Sequence, residues 1–254
     1  MAVTLENADL ALLAAVREGL AERGDPAKAP GMQAYMRSAM PYRGVQTAGQ
    51  KALAREVFKA HPLPDEPSWR DTTLALWRGA EYREERYLAI ALTGYRPYAA
   101  YQTPAALPLY EELIVTGAWW DYVDEVAIRR VGPILRTHPR VVRPLMLAWS
   151  RDADLWRRRT AIICQVKAKR ETDLDLLTAC VEPNLGDRDF FIRKAIGWAL
   201  RDYAWTDPEW VRRWVAAHDE RLAGLSRREA LKNVGQAPDT TKPPPVEGGG
   251  FVPA

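Results

Sequence analysis

Apolar residues recur every three or four positions along most of the chain, with Leu, Ala, Val and Trp on the repeating positions and Pro or Gly between the runs. That period marks amphipathic helices, and the two-residue alternation that makes strands is scarce. Read in turn, the runs predict helices over Leu5–Arg23, Gly31–Met40, Thr47–Ala60, Pro67–Arg78, Arg83–Leu92, Pro108–Gly117 and Asp121–Val131. They continue over Pro139–Trp149 with a kink at Pro144, then Asp154–Lys169, Asp173–Cys180, Asp187–Tyr203 and Pro208–Ala217. Pro67, Pro108 and Pro208 fit first-turn positions, where proline has no N–H to lose. The helices are short, joined by short turns, and none is apolar all round. Stacked antiparallel pairs in a curved array follow, an all-α HEAT-like helical-repeat solenoid (α-α superhelix) without a clean fixed-period repeat. Residues 1–235 read as one such domain. Gln236 to Ala254, with Pro243, Pro244, Pro245 and Gly248, Gly249, Gly250, reads as a disordered tail.

Composition narrows the class. With 47% hydrophobic residues in 254, the chain can bury a sizeable core without disulfide or metal staples. Cys164 and Cys180 sit inside apolar helical patterns without metal-ligand spacing and read as reduced core residues. No apolar run reaches membrane-spanning length, and the segment from Met1 to Asn7 lacks the basic-then-apolar order of a signal peptide; a cytoplasmic protein that does not enter the membrane is expected.

Net charge is only +3, but its distribution is uneven. Ala127 to Arg170 holds twelve Lys or Arg against Asp152 and Asp154, whereas His61 to Glu125 holds five Arg against eleven acids. A solvated surface explains most single basic runs. A stretch this one-sided favours a polyanionic partner, nucleic acid first.

Much chemistry is excluded. The chain has no phosphate-cradling glycine loop, no metal-binding histidine pair and no Ser or Cys nucleophile with a partner; a metal site and a cofactor are not expected. His61 and His138 each precede a proline and so fall in turns, and with His218 they read as surface residues. Any catalysis rests on carboxylates and aromatics.

Three segments combine these types. In Gly117-Ala118-Trp119-Trp120-Asp121-Tyr122-Val123-Asp124, Trp120 and Asp124 share a helix face, while Asp121 reads as an N-cap. By itself this segment is better explained by a core Trp with a cap network. In Asp154-Leu155-Trp156-Arg157-Arg158-Arg159, three consecutive arginines diverge by about 100° each, so one or two at most face a common groove. In Phe190 to Arg201, Lys194 and Trp198 lie on one face with Arg201 near. Aromatic surface beside fixed positive charge suits a phosphate backbone and a sugar or base ring.

Taken together, the runs Trp-Trp-Asp-x-Val-Asp, Trp-x-x-Arg-x-Ala-Ile and Phe-x-x-x-Lys-Ala-Ile-x-Trp-Ala-Leu-Arg resemble the AlkD-type DNA alkylation-repair family in order and separation, over roughly Gly31 to Trp205. The resemblance implies HEAT-like repeats with a concave basic face that holds duplex DNA, and excision of N3- or N7-alkylated purines by a monomeric glycosylase, without base flipping. It implies that Trp120 and Trp198 flank the lesion's deoxyribose, that Asp124 is the catalytic carboxylate, and that Arg159 contacts backbone near the lesion, with Lys194 beside Trp198 on the DNA-binding face. Met32 to Arg37 and Gly44 to Thr47 match the family's opening helix and following loop, making Tyr35 and Gln46 cleft candidates. Arg43 stands where an apolar residue is expected, and either adds a candidate phosphate contact or admits a differently shaped adduct. The competing reading is a noncatalytic helical-repeat module that binds nucleic acid or protein.

Overall fold

The computed structural model describes residues 5–235, and the tail expected from Gln236 lies outside the described residues. Within that span the protein is all-helical and falls into two compact units, the first ending at Cys164 and the second beginning at Gln165. The first unit holds α1 (Leu10–Glu22), α2 (Ala29–Met36), α3 (Thr47–Ala60), α4 (Glu66–Arg78), α5 (Arg83–Thr93), α6 (Leu107–Gly117), α7 (Trp120–Val126), α8 (Gly132–Thr137), α9 (Pro139–Trp149) and α10 (Leu155–Ile163). The second holds α11 (Leu174–Val181), α12 (Phe190–Tyr203), α13 (Pro208–Ala217) and α14 (Gly224–Ala230).

Aspartate starts six of these helices. Asp9, Asp65, Asp154, Asp173, Asp189 and Asp207 each accept a hydrogen bond from a first-turn amide. Each such cap contributes about 1 kcal/mol and fixes where its helix begins. This explains two boundaries the periodicity misplaces. The first helix starts at Leu10, not Leu5, because Asp9 receives the Leu12 N–H at 2.9 Å. The twelfth starts at Phe190, not Asp187, because Asp189 receives the amides of Phe191 and Ile192. Pro67, Pro108 and Pro208 occupy the first turns expected of them.

Other differences have physical causes. Arg37 adopts a left-handed conformation (φ 48°) that ends α2 at Met36 rather than Met40. The helix expected through Lys169 stops at Ile163, since Lys167 and Lys169 also turn left-handed. The helix expected to end at Val131 passes through a wider π turn, Ala127–Val131, into α8. The periodicity missed α8 and α14. It also missed the 3-10 segment Arg96–Tyr101, whose rings Tyr98 and Tyr101 stack.

Consecutive helices pack on one another, α4 on α5, α6 on α7 and α9 on α10. Leu53, Phe58, Trp69, Leu76, Trp77, Leu88, Tyr110 and Tyr122 are among the fully buried core side chains of the first unit. Each contributes about 1.5–3 kcal/mol by leaving water. Cys164 and Cys180 are buried and form no disulfide, as the sequence implied. Among the described residues, no helix is long and apolar enough to cross a membrane.

Candidate active site

The carboxylate singled out in the sequence lies in a charge-paired environment. Arg159 Nε donates to Asp124 Oδ1 at 2.7 Å and Arg159 Nη2 to Oδ2 at 2.8 Å, a bidentate fork between α10 and α7. The Arg159 side chain is 5% exposed and that of Asp124 14%. Burial pushes the Asp124 carboxyl above its ordinary value, Arg159 opposes this by charge and hydrogen bond, and the nearby Asp121 adds to the rise. A guanidinium that donates both arms to a carboxylate favours its ionised form and fixes its orientation.

Close helix approach makes this pairing possible. A Cβ added to Gly132 would lie 2.1 Å from the Cys164 carbonyl oxygen, so glycine lets the start of α8 sit against the end of α10. The π turn falls directly after α7 and reaches this contact. Trp120 opens α7 on the same face as Asp124 and is partly buried. Its neighbour Trp119 lies 6.4 Å from the buried Trp156 of α10, ring centre to ring centre.

Asp121 is not the N-cap its position suggested. Trp119 occupies the cap position of α7, and Asp121 faces inward instead. Arg83 Nη2 donates to its Oδ1 at 2.7 Å and the Tyr87 hydroxyl to its Oδ2 at 2.6 Å. Arg83 Nε also donates to the Tyr87 oxygen at 3.0 Å. With its own proton on Asp121, Tyr87 must accept from Tyr42 across their 2.8 Å contact. Burial raises Asp121, with Arg83 opposing; burial also pushes Tyr42 up to about 12, so its hydroxyl stays a donor. The Arg83 guanidinium lies over the Tyr122 ring at 4.2 Å, closing the cluster.

The same helix start fixes the loop that bears Arg43 and Gln46. Glu84, fully buried, accepts the amides of Arg43, Gly44 and Val45 at 2.9 to 3.1 Å, and the Arg83 amide donates to the Pro41 carbonyl at 2.9 Å. Gly44 has φ 86°, and a Cβ there would lie 2.1 Å from the Asp25 carbonyl oxygen. This loop position therefore requires glycine. One hydrogen-bonded assembly thus ties the loop before α3 to the first turn of α7. Gln46 is exposed at the start of α3, and Tyr35 is 55% exposed near the end of α2. The Arg43 guanidinium rests on the Tyr82 ring at 3.8 Å.

Arg83, Glu84 and Asp121 escaped the sequence reading. The signal was present: Arg83, Glu84 and Glu85 are consecutive charges at the start of a helix whose Leu88, Ala89 and Leu92 face inward, and no single solvent face can hold all three. Arg157, Arg158 and Arg159 diverge as expected. Arg157 reaches Glu111 and Asp152, Arg158 donates to the carbonyls of Asp152 and Ala153, and Arg159 takes Asp124.

The sequence model of the family described as "DNA alkylation repair enzyme" matches residues 16–234. The chain belongs to the DNA alkylation repair enzyme family. Among solved structures it is similar to a protein described as "Predicted DNA alkylation repair enzyme from Enterococcus faecalis". That match has 26% sequence identity and a TM-score of 0.70, and covers 85% of this chain and 98% of that one. No curated protein matches. Membership in this DNA alkylation repair enzyme family gives the protein a role in DNA repair and implies a DNA substrate.

Two of the family-motif residues, Lys194 and Trp198, belong to the second unit. Trp198 is partly buried on α12. Lys194 donates to Glu229 of α14 at 3.0 Å, and Arg201 and Lys232 meet the same carboxylate at 2.7 Å each. Burial pushes Glu229 up, but the hydrogen bonds from Lys232 and Lys194 and the charge of Arg201 bring it below its ordinary value. The Lys194 charge thus helps join α12 to α14. His138 is exposed, while His218 is partly buried against Trp214, ring centres 4.0 Å apart. Among the described residues no group of His, Cys, Asp and Glu could hold a metal ion.

Proposed function

We propose that this DNA alkylation repair enzyme is a glycosylase that hydrolyses the N-glycosidic bond of N3- or N7-alkylated purines in duplex DNA, as a monomer. The observation that carries this reading is the oriented Asp124 carboxylate on the α7 face shared with Trp120, in a chain of this family. Alkylation at N3 or N7 leaves the purine cationic, so it departs with the bonding electrons as a neutral base and needs no proton. Positive charge meanwhile develops on the deoxyribose. Asp124 stabilises that oxocarbenium-like centre and orients the water that adds to C1′, whose proton is lost to the carboxylate or to solvent. The indole face of Trp120 attracts the cationic sugar by about 0.5–2 kcal/mol, and Trp198 of the second unit adds an aromatic contact to the DNA. Arg159 holds the carboxylate in position.

Work on the sugar, rather than on a flipped base, needs no closed base pocket and so tolerates bulky adducts. Tyr35, Gln46 and Arg43 border the lesion, and Lys194 stands at the DNA face. The rival, a noncatalytic binding module, draws on one observation: Asp124 already has a full ionic partner in Arg159. Release of free alkylpurine from methylated duplex DNA decides between them. Release by the wild type, abolished in Asp124→Asn, supports the glycosylase; binding without release favours the module.

A further inference from the structure

The loop that opens the second unit, where the sequence predicts a helix running to Lys169, is pinned by hydrogen bonds instead. Lys167 and Lys169 both sit in the left-handed region, at φ 72° and 55°. A side chain there costs about 1–2 kcal/mol, so surrounding bonds must hold the shape. Gln165 supplies them at the base, donating to the Asp173 carbonyl at 3.0 Å and accepting the Asp173 amide at 2.7 Å. Asp202 at the end of α12 accepts the Lys167 amide at 2.7 Å.

Thus fixed, the loop presents Lys169 and Arg170, both exposed, on a shallow depression that also includes Trp205. Ala168, Glu171 and Thr206 line the rest. Trp205 is 49% exposed, a large apolar surface left in water beside two cations. A half-exposed indole offers a face for stacking, and adjacent cations offer contacts to a phosphate backbone. A run of acidic residues alone could satisfy the cations but carries no planar ring for Trp205.

We propose that Trp205, Lys169 and Arg170 form a further nucleic-acid contact, built within the second unit. Lys169 and Arg170 meet neighbouring phosphates of one strand, and Trp205 stacks on a base left unpaired at that point. Glu171 confines the phosphates to the Lys169 and Arg170 side. The inference rests on DNA being the protein's substrate but not on glycosylase chemistry.

Fluorescence anisotropy tests it with the full chain, using a labelled undamaged duplex with a single-stranded overhang and the same duplex with blunt ends. Trp205→Ala should weaken binding to the overhang duplex on the order of five- to tenfold, and to the blunt duplex less. Trp205→Phe should restore most of the loss because it keeps a stacking face. Replacing both Lys169 and Arg170 with Ala should flatten the dependence of log affinity on log salt by about two units. Wild-type affinity in Trp205→Ala, equal losses in the Ala and Phe variants, or an unchanged salt slope in the double variant would overturn the proposal, as would preferential binding of poly-glutamate at this loop. If the wild type releases no alkylpurine while these shifts occur, the glycosylase reading fails and this contact stands. Normal excision with none of the shifts has the opposite meaning.

Discussion

Replacing Asp124 with Asn is the most direct perturbation, because it removes a charge and leaves the shape. Two effects bear on stability. The amide oxygen still accepts one arm of the Arg159 fork, but the other arm meets an NH2 group, and losing one partner of a buried pair costs as much as about 3–5 kcal/mol when nothing replaces it. Against this, burial disfavours the Asp124 charge, so a neutral side chain escapes that desolvation. A net loss of about 1–2 kcal/mol follows, small enough for the variant to fold. The effect on chemistry is larger. Removing a fixed charge aimed at developing positive charge should cost about 3–4 kcal/mol of transition-state stabilisation, a rate loss of about 10²–10³-fold. Single-turnover release of 7-methylguanine from a saturated enzyme–duplex complex, with a thermal melt of the same preparation, separates the two effects. A folded Asn variant that excises at the wild-type rate would refute the role of Asp124. A variant that cannot fold would show that the pair holds the protein together more strongly than its geometry suggests.

Four further outcomes follow from the geometry. Trp120→Ala and Trp198→Ala should slow excision more than their loss of melting temperature explains; equal proportional losses of activity and folded protein would count against sugar contacts. Because burial raises Asp124, the acid limb of the excision rate should lie above that of an ordinary aspartate, and a pH–rate profile of single-turnover excision checks it. Glu84→Ala, which leaves the buried Arg43, Gly44 and Val45 amides without their acceptor, should cost about 3 kcal/mol or more by chemical denaturation. Glu229 has a folded value below its unfolded one, so its stabilisation is present above the unfolded value and is lost as pH falls through the folded one; Glu229→Gln should flatten the acid limb of a stability–pH curve.

The helical class and most helix positions were legible in the sequence because a 3.6-residue apolar period is local. Helix ends were legible only where a cap is local too: Asp65 before Pro67 marks a start from sequence alone, whereas the end of α2 depends on Arg37 turning left-handed, which no neighbouring glycine announces. The site was legible at the level of residue type. Asp124, Trp120 and Arg159 stood out because the order and separation of their motifs resemble the family's, and the structure joins Asp124 to Arg159. What remained hidden was long-range pairing. Asp121 looks like a cap until Arg83, 38 positions earlier, supplies a buried guanidinium.

Charge counting shows the same limit. Twelve cations against two acids from Ala127 to Arg170 suggested a surface reserved for a polyanion. Much of that charge is already used within the first unit. Arg129 and Arg130 pair with Glu125, Arg157 with Glu111 and Asp152, and Arg159 with Asp124, while Arg158 caps backbone carbonyls. Glu111, Asp124 and Glu125 all come from the acidic stretch that precedes it. The two oppositely charged stretches therefore neutralise one another in part, side chain by side chain, as their helices pack. A cation already paired with a carboxylate adds little to the field felt by an approaching phosphate, so the cations that count for DNA are fewer than the sequence total. Arg140 and Arg151 in the first unit, and Lys169 and Arg170 in the second, are exposed. Positive charge for binding is carried by such residues, while the buried arginines serve to place carboxylates, Asp124 among them.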